Sequence, residues 1–180
     1  MTVSRLARGT LFLVAGPSGA GKDTLIAAAA RHLSETHVFP QRVITRPSIS
    51  DAEVHSHQSI EVFDASLAGG AYALSWSAHG LRYGIPSSIH ADLEAGRAVV
   101  INVSREVARA ARKAFDPVRV ILVTASRATL AQRLADRGRE SADEIALRLD
   151  RQVDLAPDAV IVNEGPVDAA IARFLEVLKG

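Results

Sequence analysis

The sequence predicts an α/β fold in three layers, a parallel central sheet covered by helices on both faces. Three observations predict it. Apolar runs rich in Val, Ile and Leu recur at residues 11–15, 38–45, 98–103, 118–124 and 159–162, the pattern of strands buried on both sides. Between them lie stretches with helical spacing, mostly rich in alanine, at 23–33, 87–94, 105–115, 126–136, 143–153 and 167–178, and strand–helix alternation calls for parallel connections. The third observation is the glycine-rich junction Gly16-Pro17-Ser18-Gly19-Ala20-Gly21-Lys22-Asp23-Thr24 between the first strand and the first helix.

That junction has the spacing of a phosphate-binding loop. Glycines allow backbone N–H groups to face phosphate oxygens, the following helix adds positive potential at its N-terminus, and Lys22 reaches the outer phosphates of a nucleotide. An ordinary glycine-rich turn is the alternative, but the apolar strand and the alanine-rich helix stand where the phosphate-binding mechanism requires them. Asp23 occupies the position where a serine or threonine hydroxyl usually meets magnesium, and Thr24 follows it; the metal contact is therefore assigned to Asp23 or Thr24. Later punctuation agrees with the helices. Ser104 can cap the helix that follows its strand, Ser141 with Glu144 forms a capping box, and Pro166 suits a first helical turn.

Composition bounds the function. A chain of 180 residues fits one domain with one large core. Twenty-one Lys and Arg against 20 Asp and Glu leave a net charge of +1, which provides no field to gather nucleic acid or an anionic membrane. With no cysteine, disulfides and zinc–thiolate sites are excluded, and no apolar stretch approaches the roughly 20 residues that span a bilayer. The first apolar run is too short for the core of a signal peptide. These features lead us to expect a cytoplasmic protein with a small-molecule partner, no nucleic-acid or membrane partner, and a monomeric or homodimeric state.

Residues 46–86 break the alternation and predict a small inserted subdomain beside the main sheet, suited to holding an acceptor. Thr45-Arg46-Pro47 ends a strand, and proline keeps Arg46 in extended backbone at the carboxyl edge of the sheet, where open α/β sheets bind ligands; a solvated strand-end arginine is the alternative. His55 and His57, two apart, suit polar lining of a site better than a metal centre that lacks a third ligand. Downstream, Arg133 and Arg137 are four apart, Gly138 breaks the helix, and Arg148 and Arg151 are three apart. Such arginines can converge as a lid over about 137–143 that neutralises a phosphoryl group in flight. Their near balance with Asp136, Glu140, Asp143, Glu144 and Asp150 keeps a set of surface ion pairs open as the alternative.

Taken together, the phosphate-binding loop with Gly-Lys-Asp-Thr at 21–24, Ile44-Thr45-Arg46-Pro47, Trp76-Ser77-Ala78-His79-Gly80-Leu81, Tyr83-Gly84-Ile85-Pro86, Asn102-Val103-Ser104-Arg105 and Arg137-Gly138-Arg139-Glu140 resemble the guanylate-kinase-like small-molecule kinases over nearly the whole chain. Within that group the sequence is most similar to the ribose 1,5-bisphosphate phosphokinases of phosphonate degradation. Guanylate kinases carry a glutamate where Ser75 stands, a hydroxyl residue where Ile85 stands, aspartates at the positions of Asn102 and Ser104, and a second arginine at Ile49. Loss of groups that would pair with a guanine disfavours that base.

The resemblance implies the three-layer sandwich of P-loop NTPases with an inserted acceptor subdomain and a short lid. It also implies transfer of the γ-phosphoryl group of ATP, with Mg2+, to the 1-phosphate of ribose 1,5-bisphosphate. Lys22, Arg137 and Arg148 would act in transfer, and residues 16–24 with Arg133 would bind the nucleotide. Arg46, His55, His57, Ser75, Tyr83, Asn102 and Arg105 would bind the acceptor. A phosphate acceptor is already largely anionic at neutral pH, so the chemistry calls for positioning and charge neutralisation rather than a general base. A nucleoside-monophosphate kinase of unusual specificity and a non-catalytic interaction module are the alternatives, the second disfavoured by an intact Gly-Lys loop. For the lid, Arg137→Ala and Arg148→Ala should each lower kcat at least about tenfold in steady-state assays; unchanged kcat in both would favour surface ion pairs.

Overall fold

The computed structural model describes residues 8–45, 55–78, 80–136 and 155–180. Arg46, His79, Arg137, Arg148 and the whole interval 137–154, which includes the expected lid and the helix expected over 143–153, lie outside the described residues.

Five parallel strands form the main sheet: β1 (Leu11–Ala15), β2 (His37–Val38), β7 (Ala98–Asn102), β8 (Val118–Thr124) and β9 (Ala159–Val162), in the order β2-β7-β1-β8-β9. The strand at the centre, β1, is buried along its entire length and pairs on one side with β7 and on the other with β8. Because successive side chains of a strand point to opposite faces, the two cores sort by parity. Phe12, Val14, Val100, Ile121 and Val123 pack on one face with Leu25, Ala29 and Leu33 of α1 (Lys22–Leu33), Leu130 of α5 (Arg127–Asp136) and Phe174 of α6 (Val167–Lys179). Leu11, Leu13, Val99, Ile101 and Val120 pack on the other with Ile89 and Leu93 of α3 (Ile89–Glu94) and Ala108 and Ala111 of α4 (Arg105–Ala111). Near-continuous apolar strands thus produce the three layers.

The run at 38–45, expected as one strand, is two. His37–Val38 joins the main sheet beside β7, whereas β3 (Arg42–Ile44) joins a second sheet. Pro40 stands between them; it cannot donate to a ladder and so ends one pairing before the next begins. The second sheet has the order β4-β3-β6-β5, with β4 (His55–His57) parallel to β3, and β6 (Leu81–Pro86) antiparallel to both β3 and β5 (Tyr72–Ala78). The helix α2 (Ile60–Ala68) buries Phe63 and stacks it on Tyr72, with ring centroids 4.6 Å apart. Tyr72 in turn explains Gly84, since a Cβ there would come within 2.6 Å of the Tyr72 ring. Thr45 ties β3 to β6: Arg82 N donates to its hydroxyl at 2.9 Å and its own N–H donates to Arg82 O at 3.1 Å.

Two helices are shorter than their apolar spacing suggests. Helix α3 begins at Ile89 after a turn closed by His90 N to Ser87 O. Helix α4 ends at Ala111, followed by tighter turns through Lys113 and Ala114, because the chain must reverse before Pro117 to enter β8. Ser104 caps α4 as expected, its hydroxyl accepting from Val107 N at 3.2 Å.

Phe174 is fully buried where α6 meets the sheet. Phe174→Ala should lower unfolding free energy by about 3–5 kcal/mol through lost burial and the cavity left behind, read as a shift in the midpoint of urea denaturation.

Candidate active site

The loop that leaves β1 runs very close to its neighbours at two glycines, to backbone at Gly16 and to a side-chain amide at Gly21. At Gly16, with φ 149°, a Cβ would lie 1.9 Å from Val123 O; at Gly21, with φ 88°, it would lie 2.3 Å from Asn163 Nδ2. Both positions are also strained for any residue with a side chain. Gly21 serves as the cap residue of α1, whose first-turn amides have no intrahelical acceptor and carry the positive end of the helix dipole. Lys22 curls back over the loop and donates from Nζ to the carbonyl oxygens of Gly16 and Pro17, each at 2.9 Å. This is a nest built for phosphate.

Asn163, which the sequence reading did not single out, holds that nest. It is 3% exposed, follows β9, and donates from Nδ2 to Ala20 O at 2.8 Å while its backbone N–H donates to Thr124 O at 2.7 Å. Arg133, on α5, donates to Gly19 O at 3.4 Å and to Asn163 O at 3.1 Å. Beside them, Ser126 donates from its hydroxyl and backbone N–H to the Glu164 carboxylate, which holds that carboxyl below the usual glutamate range, with a smaller contribution from the Arg133 charge. The signal for Asn163 was its place just past an apolar strand, at the carboxyl edge where such sheets bind ligands.

In front of the loop lies a cavity of about 350 Å³. One side is the main sheet: Gly16, Pro17, Ser18, Gly19, Gly21 and Lys22, then Asp23 and Thr24 of α1, Asn102 at the end of β7, and Ser104 to Val107 at the start of α4. Asn102 Nδ2 donates to Asp23 Oδ1 at 2.6 Å. The other side is the second sheet, with Arg42, Trp76, Ser77, Ala78 and Tyr83. Trp76 and Tyr83, facing each other in register on β5 and β6, stack with centroids 5.2 Å apart and planes 10° apart. The guanidinium carbon of Arg42 lies 5.1 Å from the centre of the Tyr83 ring. A second cavity of about 280 Å³ lies on the far side of the loop, lined by Gly19, Gly21, Thr24, Arg133, Asp136, Asn163 and Val167.

Of the residues singled out by sequence, the structure therefore brings the loop glycines, Pro17, Ser18, Lys22, Asp23, Thr24, Tyr83, Asn102 and Arg105 to the first cavity, and Arg133 to the second. Ala20 is fully buried beneath the loop. Ser75 and His57 do not line either cavity: Ser75 pairs with Gly84 along β5, and His57 pairs with Ile44 at the far edge of the second sheet. His55 pairs with Arg42 in register, and its side chain is outside the description. Ile85, noted for its difference from guanylate kinases, is 1% exposed and packs into the core with Ile89. Arg42 and Trp76 belong to the site without having been assigned to it, because their strand positions look like ordinary members of amphipathic strands. Among the described residues, no group of three or more His, Cys, Asp or Glu side chains that could hold a metal ion occurs.

A glycine-rich loop at the end of the central strand of a parallel three-layer sandwich, followed by Gly-Lys at the start of a helix, defines a P-loop α/β protein. No family model matches the chain. It is 53% identical over 173 residues to the ribose 1,5-bisphosphate phosphokinase PhnN of Acidiphilium cryptum, covering 94% of this chain and 92% of that protein. It is 42% identical over 182 residues to the bifunctional ribose 1,5-bisphosphokinase-thymidine phosphorylase of Azorhizobium caulinodans, covering 98% of this chain and 26% of that longer protein. The guanylate kinase of Anaplasma phagocytophilum shares the fold, with a TM-score of 0.74 at 20% identity, over 96% of this chain and 86% of that one. The chain belongs to the ribose 1,5-bisphosphate phosphokinase family.

Lys22→Ala should abolish phosphoryl transfer while leaving the far-ultraviolet circular dichroism unchanged, because Lys22 supports the loop's chemistry from its half-exposed surface and not from the core. Turnover near that of the unaltered protein would remove the phosphate-binding role from this loop.

Proposed function

We propose that this protein transfers the γ-phosphoryl group of ATP to the 1-phosphate of ribose 1,5-bisphosphate, forming 5-phosphoribosyl 1-diphosphate. One observation carries the reading in this chain: the phosphate-binding loop and the aromatic wall of the second sheet share one cavity, so a donor phosphate on the loop and an acceptor on the wall can meet. Family membership points the same way.

In this reading the loop amides and Lys22 hold the donor's outer phosphates, and the cavity beside Arg133 and Asn163 takes the nucleoside. The oxygen donors at the start of α1, the Asp23 carboxylate and the Thr24 hydroxyl, with the Asn102 amide behind them, fit a hard divalent cation. Mg2+ held there would neutralise charge on the phosphates. Arg105, at the first position of α4, and Tyr83 bind the acceptor, with the insert at about 46–86 acting as the acceptor subdomain. Arg46, His55 and His57 are further candidates for the acceptor, and Arg137 and Arg148 would close the site as a lid. Among the described residues no helix is long and apolar enough to cross a membrane, and cytoplasmic work on a phosphorylated sugar fits the reading.

The second-sheet wall of the cavity carries no carboxylate among its described residues. Each guanine N–H left without an acceptor against that wall would cost about 1–3 kcal/mol, whereas a bisphosphorylated sugar can be met by Lys22, Arg42 and Arg105, which line the same cavity. GMP should therefore be phosphorylated at least about a hundredfold less efficiently than ribose 1,5-bisphosphate, as kcat/KM under identical Mg·ATP conditions with product identification by mass spectrometry. Comparable efficiency, or preference for GMP, would overturn the acceptor assignment and leave the fold standing.

A further inference from the structure

We infer that Asn102 is a positioning residue for Asp23: its side-chain amide holds one oxygen of that carboxylate and leaves the other for a divalent cation bound with the donor's phosphates. Asn102 then serves the cation through Asp23, in place of the acceptor contact that the family resemblance implies for it. The assignment rests on the proposed function and deepens it by naming the group that orients the cation's carboxylate.

Asp23 poses a problem of charge. It follows Lys22 directly and lines the same cavity as the phosphate-binding loop, so a carboxylate stands beside the place where phosphate oxygens collect, and like charges repel. A divalent cation between them turns that repulsion into attraction, provided that the carboxylate keeps an oxygen aimed at it. Asp23 is exposed, and an exposed side chain moves among its rotamers unless something holds it. Asn102 does so: its Nδ2 donates to Asp23 Oδ1 at 2.6 Å. Among the described residues this is the one hydrogen bond to the carboxylate, so Oδ2 is left over.

The direction of this bond follows from chemistry. An ionised carboxylate only accepts, so the amide must present its NH2 group and not its oxygen. The donor is also well anchored. Asn102 is the last residue of β7 and stands in register with Val14 of β1, the buried strand that leads into the phosphate-binding loop. An amide suits a place behind a metal ligand because it donates without charge. Lysine or arginine there would neutralise the carboxylate and compete with the cation, and an ionised aspartate could not donate at all. Carboxylates that ligate metals are themselves hydrogen-bonded, and loss of such a partner typically lowers metal affinity by about 10- to 100-fold.

Turnover of ribose 1,5-bisphosphate by the unaltered protein is measured first; its absence would refute the proposed function, whereas the cation measurements do not involve the acceptor. Mg2+ is titrated by calorimetry into protein held in excess over the non-hydrolysable imido analogue of ATP. Asn102→Leu keeps the shape of the side chain and removes its donor. It should raise the Mg2+ concentration at half-saturation at least about tenfold, with affinity for the analogue in EDTA changed less than about threefold. Asn102→Ala should act in the same direction, which separates loss of the donor from the bulk of leucine. Asp23→Ala should also raise half-saturation at least about tenfold. Asn102→Leu added to Asp23→Ala should change it less than about twofold further, since a residue that acts through Asp23 has nothing left to hold. At saturating Mg2+, KM for ribose 1,5-bisphosphate should change less than about threefold in Asn102→Leu. Unchanged Mg2+ half-saturation in Asn102→Leu and Asn102→Ala, additive losses in the double variant, or a loss confined to acceptor KM would each overturn the inference.

Discussion

The structure depends on the close approach of the loop between β1 and α1 to the strands beside it. Gly16 passes under the carbonyl of Val123, and Gly21 passes the Asn163 amide, each closer than any side chain would permit. Both neighbours lie on the β8–β9 side of β1, Val123 on β8 and Asn163 just past β9. The approach also fixes where the first amides of α1 point, and with them the positive end of the helix.

Across the cavity the second sheet answers with aromatic and cationic side chains, and Asn102 joins the two sides. Its side-chain amide donates to Asp23 on α1 at 2.6 Å, and its carbonyl lies 3.5 Å from Arg42 NH1 on β3. A residue at the end of a main-sheet strand thus touches both the first turn after the phosphate loop and the acceptor wall. Only the first contact depends on asparagine, whose side-chain amide supplies the donor; the second uses the backbone carbonyl. An aspartate, the residue that guanylate kinases carry at the corresponding place, could not donate to Asp23 while ionised and would add like charge beside it.

The second sheet is also where packing and recognition share residues. Tyr72 covers Gly84 and stacks on Phe63 beneath α2, while Tyr83, one residue before that glycine, turns its ring to Trp76 and the cavity. Residues 83 and 84 of β6 point to opposite faces, so Gly84 lies against Tyr72 while the Tyr83 ring turns to the cavity. Ile85, two residues after Tyr83, is buried in the core with Ile89, so its difference from the guanylate kinases bears on packing.

The sequence by itself determined the three-layer α/β class, the five strands of the main sheet in outline and the phosphate-binding loop, because each of these is written in local patterns: runs of buried β-branched residues, helical spacing and glycines at fixed offsets. It placed Lys22, Asp23, Thr24, Asn102, Arg105 and Tyr83 among the site residues, most of them from motifs adjoining a strand end. Only the tertiary structure decided that the run at 38–45 divides at Pro40 between two sheets, since either half pairs equally well in isolation and the partner is chosen by what lies nearby. It alone brought Arg42 and Trp76 to the cavity in front of the loop and Asn163 to the loop itself, and kept Ser75 and His57 from the cavities. Those outcomes turn on strand register and on contacts between residues as far apart as Asn163 and Ala20, for which local sequence carries no period and no spacing to read.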